Sequence, residues 1–109
     1  MADTLKVLGQ LAPSATTDTD LYTVPNETVA TISSIAACNR SGGALTIRVA
    51  VRPQGATVAN KHYIYYGKSV AANDTEFIII GITLSASDVV SVYASSGDMA
   101  FSIFGVETS

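Results

Sequence analysis

Histidine and cysteine supply much of the acid–base, metal-binding and nucleophilic chemistry of proteins near neutral pH, and this chain has one of each. His62 has no cysteine and no second histidine at the spacing that ligands of one metal ion share. Cys38 follows Ile35, Ala36 and Ala37, a setting typical of a small core residue. We therefore expect a structural or surface role for His62, a core position for Cys38, and no metal site.

The carboxylates do not form a recognisable site either. Asp18 and Asp20 are two residues apart, but the glycine and the terminal glutamate of a calcium-binding loop do not follow. Asp74 and Glu76 alternate at the start of a predicted strand, which favours turn and edge positions over a glycosidase pair. A Gly-x-Ser-x-Gly elbow and a glycine-rich phosphate loop are also missing. The sequence therefore predicts no catalytic residue, no cofactor and no enzymatic activity.

Three tyrosines lie close together in one predicted strand, residues 61–66. Because side chains alternate along a strand, Tyr63 and Tyr65 share one face, while Tyr66 lies on the other face beside Ile64. Tyrosine rings on a β-surface stack on sugars or anchor protein interfaces. Both faces of this strand are partly apolar and the chain has no tryptophan, which favours an interface or core position over a sugar platform.

Residues 77–84 are apolar on both sides of the strand that they are expected to form. A half-buried strand alternates between apolar and polar residues, whereas Phe77 and Ile79 here point one way and Ile78, Ile80 and Ile82 point the other. A chain of 109 residues has room for one core, so the second face indicates a neighbouring chain. The predicted oligomer interface comprises Tyr63, Tyr65, Phe77, Ile78, Ile79, Ile80 and Ile82.

Composition also favours assembly. Hydrophobic residues make up 48% of the chain and charged residues 14%, and the mean hydropathy is +0.35. A membrane span needs about 18 nearly uninterrupted apolar residues, and no run approaches that length, so we expect no membrane partner. The net charge of −3 disfavours phosphate-mediated binding to nucleic acid. Residues 1–15 lack the apolar core of a secretory signal, so we expect folding in a cytoplasm.

Charge is distributed unevenly along the chain. Residues 39–73 contain no acidic residue, yet five of the six basic residues fall there. Two interpretations remain open. Basic and acidic strands pair within one sheet, or a basic face of one subunit meets an acidic face of the next and fixes the partner.

The elements that position these residues are predicted to be eight short strands separated by turn residues. The strands are expected at 5–8, 21–24, 28–38, 45–52, 61–66, 77–84, 89–94 and 99–106. Alternation slips near Ser33 and Ser34, as it does at a β-bulge. The predicted fold is all-β, an antiparallel β-sandwich of jelly-roll type. Residues 1–20 are expected to form an N-terminal arm with a short edge strand, and residues 21–109 a single β-sandwich domain.

The order of these segments resembles a group of small β-sandwich structural proteins of tailed bacteriophages and prophages. The resemblance runs from about Leu8 to Glu107 and consists of strand and turn motifs. These motifs are Leu21-Tyr22-Thr23-Val24-Pro25, Cys38-Asn39-Arg40, Lys61-His62-Tyr63-Ile64-Tyr65-Tyr66, Gly81-Ile82-Thr83-Leu84-Ser85-Ala86-Ser87-Asp88, Val92-Tyr93-Ala94 and Phe101-Ser102-Ile103-Phe104-Gly105.

The resemblance implies a virion component, a head decoration or cement protein that sits on the capsid exterior as a trimer. Its partners are then further copies of itself and the major capsid protein, and it is made in the host cytoplasm. The capsid-contacting residues expected in the N-terminal arm are Leu5, Val7, Leu8 and Leu11. The alternative is a tail- or fibre-associated module that binds a glycan or protein of the host surface.

Overall fold

The computed structural model of the chain describes residues 3–109, and eight β-strands account for most of them. The strands are β1 (Asp3–Leu11), β2 (Thr19–Thr23), β3 (Val29–Asn39), β4 (Leu45–Arg52), β5 (Tyr63–Val70), β6 (Thr75–Leu84), β7 (Val89–Ala94) and β8 (Met99–Thr108). Two 3₁₀ turns, Pro53–Gly55 and Asn60–His62, connect β4 to β5. Within the described range, no helix is long and apolar enough to cross a membrane.

The strands form two antiparallel sheets of four. The first sheet has the order β1-β8-β3-β6 and the second has the order β2-β7-β4-β5. The chain crosses between the sheets repeatedly, as in an eight-stranded jelly roll. The prediction of an all-β, jelly-roll-like sandwich is therefore confirmed.

The core fills the space between the two sheets because apolar residues recur at every second position of the strands. In β4, Ile47 and Val49 are fully buried while Arg48 between them points outward. In β8, Phe101 and Ile103 are buried in the same way. The predicted bounds of β4 and β7 are correct, and the pairing between these two strands has no register shift.

A β-bulge in β3 keeps both halves of that long strand in register with the core. The pairing of β3 with β6 and with β8 shifts between Ile32 and Ser34, where the sequence predicted a bulge. Ala30 and Ile32 point inward before the bulge, and Ile35 and Ala37 point inward after it. Without the extra residue, one half of the strand would turn its apolar side chains to solvent.

The two sheets approach each other closely along the β1 and β2 side. A Cβ atom on Gly9 would lie 2.4 Å from the backbone oxygen of Leu21, so only glycine fits at this point of β1. On the opposite side β5 pairs only with β4, and β6 pairs only with β3. β5 and β6, the two strands with apolar residues on both sides, therefore do not pair with each other, because each is the edge of a different sheet.

Three polar side chains join the sheets on the close side. Glu107 Oε1 lies 2.8 Å from Lys6 Nζ, and the Tyr22 hydroxyl donates to Glu107 Oε2 at 2.5 Å. The hydrogen bonds from Lys6 and Tyr22 stabilise the carboxylate and hold the pKa of Glu107 below its usual range. Burial, followed by the hydrogen bond to Glu107 and its negative charge, raises the pKa of Tyr22 above the usual range for tyrosine.

The N-terminal region differs from the expected arm. The edge strand within residues 1–20 is nine residues long and pairs with β8 along its length, from Asp3 opposite Thr108 to Leu11 opposite Phe101. Residues 3–11 therefore belong to the first sheet and do not reach away from it. Met1 and Ala2, the first residues of the predicted arm, lie outside the described residues.

Candidate interaction surfaces

The outer face of the first sheet carries a row of side chains from all four strands. Val7 pairs with Phe104, Phe104 with Ser34, and Ser34 with Ile79. Residues that pair directly across neighbouring strands project to the same face of a sheet. Since Ile79 is 76% exposed, this row lies on the surface of the molecule and not in its core.

Two parallel rows extend this surface, and together the three rows are called the apolar face below. They add Leu5, Val106, Thr31 and Thr83 on one side, and Gln10, Ser102, Ala36 and Phe77 on the other. Leu5 is 79% exposed and Phe77 is 60% exposed. Among the outward positions of these four strands the one charged side chain is Asp3, at a corner where the Thr108 hydroxyl donates to its carboxylate.

The predicted interface residues of β6 divide between the two sides of the sheet. Phe77 and Ile79 lie on the apolar face, as alternation predicts. Ile78 is fully buried in the core of its own protomer, and Ile80 and Ile82 pack against that core. This corrects the predicted interface, because side chains directed between the two sheets are not available to a partner on the apolar face.

The four residues predicted to contact a capsid divide in the same way. Leu5 and Val7 lie on the apolar face, whereas Leu8 and Leu11 pack against the core. The pairing of β1 shifts between Val7 and Gly9, and this bulge changes which side of the strand faces inward. Leu5 and Val7 therefore share one surface with Phe77 and Ile79, which the sequence assigned to a separate site.

Phe104 and Val106 complete the apolar face, although neither was predicted from the sequence to lie at an interface. Both alternate with the inward residues Phe101, Ile103 and Gly105 in β8. A strand with apolar residues on both sides was the signal used for residues 77–84, and the same signal is present here. Applied to β8, it indicates a second outward apolar strand that neighbours β1.

Tyrosines and an arginine form a second cluster, on the outer face of the second sheet. Arg48 of β4 pairs with Tyr66 of β5 and with Tyr93 of β7. The guanidinium carbon of Arg48 lies 4.3 Å from the centroid of the Tyr66 ring and 4.0 Å from that of Tyr93. Tyr63 meets Tyr66 edge to face, with centroids 5.0 Å apart and planes at 83°. These four residues are called the Tyr–Arg cluster below.

The arrangement of the tyrosines corrects the sequence analysis. Register shifts in β5 place Tyr63 opposite Ala50 and Tyr66 opposite Arg48, so both rings lie on the outer face. Tyr65 lies opposite Val49 and packs against the core. The expected pairing of Tyr63 with Tyr65 on one face is wrong, because strict alternation does not hold across a bulge.

The chemistry-bearing residues singled out in the sequence hold turns and strands in place. His62 Nδ1 accepts the backbone N–H of Ala59 at 2.9 Å and closes the 3₁₀ turn before β5. Asp20 accepts a hydrogen bond from Arg52 at 2.6 Å. Cys38, expected in the core, is half-buried on the outer side of the first sheet, opposite Thr75 and Ala100. Residues 3–109 contain no group of three or more His, Cys, Asp or Glu side chains able to hold a metal ion.

The basic residues of the middle of the chain concentrate on neighbouring strands. Arg48 and Arg52 are on β4, and Lys68 is on the adjacent β5. Arg52 pairs with Asp20, and the other ion pair found within 3–109 joins Lys6 to Glu107. Of the five basic residues in 39–73, only Arg52 forms an ion pair with an acidic strand of its own sheet. The alternative, a basic face of one subunit against an acidic face of the next, stays a prediction.

Comparison with known proteins adds little to this description. No protein-family model matches the chain, and no curated protein is similar to it. One similar solved chain comes from the structure of infectious bursal disease virus Gx strain, with a TM-score of 0.47 and 10% sequence identity. The match covers 97% of this chain and 31% of that chain, so this chain spans less than a third of its length. Because the TM-score is below 0.5, the fold is assigned from the strand order.

Proposed function

We propose that this chain is a non-enzymatic structural subunit of a phage virion, a capsid decoration protein that associates with copies of itself. The observation that carries the proposal is the apolar face, on which Val7, Phe104 and Ile79 lie in one row across the first sheet. A large apolar surface that stays exposed in the folded protomer marks a site of interaction with another molecule. The placement in a virion rests on the resemblance of the sequence to phage structural proteins.

A second copy of the chain is the occupant that this face fits. The whole outer side of the first sheet, four strands spaced about 4.8 Å apart and about 30 Å long, presents roughly 600 Å², and the apolar face is its central part. Two such faces together bury about 1,200 Å², the lower end of the range for specific interfaces. Since Asp3 at the corner is the one charged outward residue of these strands, two copies can meet there without burying an unpaired charge.

The number of copies depends on how the face is used. Contact of the whole face with itself produces a two-fold pair, because the same patch lies on both sides. Contact of the β6 edge of one copy with the β1 edge of the next is head-to-tail, and it forms a ring where the rotation between copies closes. The trimer implied by the resemblance corresponds to the ring.

Assembly of many copies is the physical basis of a decorating role. Each contact with the major capsid protein is then one of several made by a single oligomer, and linked contacts bind far more tightly than separate ones. A rigid jelly roll supplies the required body, and folds of this kind occur in viral capsid domains. Such a role requires an interaction surface and no active site.

Light scattering on the purified protein tests the self-association. We expect a mass of two or three times the 11.3 kDa of the chain at micromolar concentration. Val7→Glu and Ile79→Glu each place a charge on the apolar face and are expected to produce monomers that keep the β-sheet circular dichroism spectrum. Thr23→Glu, at an exposed position of β2, is the matched control and should leave the mass unchanged. A wild-type monomer would contradict the proposal.

Particle purification tests the placement in a virion. Capsids from the cells that make this protein are separated on a density gradient, and the chain is identified by mass spectrometry. We expect it in the capsid fraction, and we expect capsids that lack it to break at lower temperature. Recovery of the chain only from the soluble fraction would contradict a decorating role and leave self-association intact.

A further inference from the structure

The Tyr–Arg cluster has the geometry of a binding platform on the outer face of the second sheet, away from the apolar face. Arg48, Tyr66 and Tyr93 come from three neighbouring strands, with Arg48 directly paired to both tyrosines. Its guanidinium carbon lies within 4.3 Å of both ring centroids, so Arg48 makes a cation–π contact with a tyrosine on each neighbouring strand. The guanidinium carries five N–H donors in a planar fork.

These donors contrast with those of the other arginine on β4. Arg52 donates to the backbone oxygens of Ala56 and Gly55, to the Ser91 hydroxyl and to Asp20. Among the hydrogen bonds and ion pairs of residues 3–109, none uses the Arg48 guanidinium. A planar fork of free donors, held rigidly by stacking, matches a carboxylate that accepts two parallel hydrogen bonds.

The surrounding charge also favours an anion. Lys61 is exposed in the turn before β5 and takes part in no ion pair within the described part of the chain, whereas Lys68 pairs with the buried Ile47 and so lies on the other side of β5. No acidic residue occurs from 39 to 73, the region that contributes β4 and β5. Asp20 of β2 is the one carboxylate on the four strands of this sheet, and it already pairs with Arg52. A carboxylate that approaches Arg48 therefore meets attraction with little opposing charge.

Exposed ring surface lies beside the fork. Tyr66 is 64% exposed, and its edge contact with Tyr63 holds the ring in place. The C–H side of a sugar ring is apolar and stacks on such a surface, while its hydroxyl groups remain in water. Three strands span about 10 Å, enough for a short saccharide to lie across the cluster.

We propose that the Tyr–Arg cluster binds an acidic saccharide, with the carboxylate of a uronic acid on the Arg48 fork and a sugar ring on Tyr66. This binding is independent of self-association through the apolar face. Open on one side and flat, the cluster is expected to bind one saccharide weakly. Several clusters on one oligomer then act together on a polymeric glycan.

Titration of the assembled wild-type protein with tri-galacturonate, followed by amide chemical shifts, tests the proposal. We expect a Kd on the order of 1 mM, with the shifts confined to β4, β5 and β7. The fully methyl-esterified trisaccharide has the same rings without the charge and should bind at least about tenfold more weakly. Equal binding of the acid and the ester, or no binding of the acid, would overturn the proposal.

Variants separate the fork from the ring surface. Arg48→Lys keeps the charge but loses the planar fork, and we expect it to weaken binding of the acid. Tyr66→Phe keeps the ring and should bind like the wild type, whereas Tyr66→Ala should bind more weakly. Arg48→Gln is checked by light scattering as well. If Arg48→Gln leaves saccharide binding unchanged, the saccharide proposal is wrong. If Arg48→Gln changes the mass of the oligomer, the cluster is a contact between protein chains, and the saccharide proposal is wrong as well.

Discussion

Val7 and Ile79 occupy the two ends of one cross-strand row on the outer face of the first sheet, although they lie far apart in the chain. The order β1-β8-β3-β6 brings them together because the first and last strands of the chain pair with each other. This row turns two separate apolar segments of the sequence into one surface. The proposed assembly role rests on that surface, on which the Ile79 side chain is 76% exposed.

Neighbouring isoleucines of β6 should respond differently to truncation. Ile78→Ala leaves a cavity in the core and is expected to lower the free energy of unfolding by about 2–5 kcal/mol at every protein concentration. Ile79→Ala removes a side chain that is exposed in the protomer, so its effect should appear only at concentrations where the oligomer forms. Urea unfolding at two protein concentrations distinguishes these results. A large, concentration-independent loss for Ile79→Ala would contradict the assigned faces.

Acid should weaken the link between the sheets through Glu107. The pKa of Glu107 is lowered in the folded state, so its stabilising effect is complete above the ordinary value of about 4.3 and is lost as pH falls through the folded value. Glu107→Gln is expected to cost about 1–2 kcal/mol at pH 7. The difference from wild type should shrink between about pH 5 and pH 3, measured by thermal unfolding. A difference that stays constant over this range would show that the charge of Glu107 has no role.

Ionisation of Tyr22 should lower the free energy of unfolding at alkaline pH. Its pKa is raised in the folded state, so the unfolded chain ionises first, near pH 10, while the folded chain keeps the proton. The free energy of unfolding therefore falls as pH rises above about 10. Tyr22→Phe should be less stable than wild type at pH 7 by about 1 kcal/mol but should lose less stability above pH 10. Tyr93→Phe is the control, and equal alkaline loss in both variants would contradict the role of Tyr22.

Asn39 is expected to be intolerant of a change that preserves its shape. Its side-chain amide donates to the backbone oxygens of Gly43, Val70 and Ala71, and its oxygen accepts from Ser41. Asn39→Asp replaces the donating amide nitrogen with a carboxylate oxygen, which is repelled by the three backbone oxygens around it. We expect this change to lower the free energy of unfolding by about 3 kcal/mol or more. Asn73→Asp, at an exposed turn position, should change stability by no more than about 0.5 kcal/mol. Similar losses in chemical denaturation would contradict this account of Asn39.

The sequence predicts the class of fold and most strands because alternation is a local property. β4 and β7 match their predicted bounds, and the bulge at Ser33 is visible as a slip in alternation. β5 is displaced because Gly67, with φ of +72°, allows a bulge through which the strand continues to Val70. Lys61 and His62 belong instead to the turn that precedes it.

The candidate surfaces are harder to predict because they depend on which strands are neighbours. Alternation indicates that Phe77 and Ile79 share a face, but it does not reveal that Leu5 and Val7 join them through β8 and β3. The Tyr–Arg cluster depends in addition on register shifts in β5, which place Tyr66 beside Arg48. The order of the strands in the first sheet and the register of β5 against β4 cannot be predicted from the alternation within a single strand.

The reaction of Cys38 with a thiol reagent tests the assembly of the apolar face most directly. Cys38 lies on the same side of the first sheet, one outward position from Ala36, and it is the only cysteine of the chain. We predict that Cys38 reacts more slowly in concentrated wild-type protein than in diluted protein, and that the monomeric Ile79→Glu variant shows no such dependence. If the wild type assembles while Cys38 reacts at the same rate at every concentration, the subunits meet through another surface.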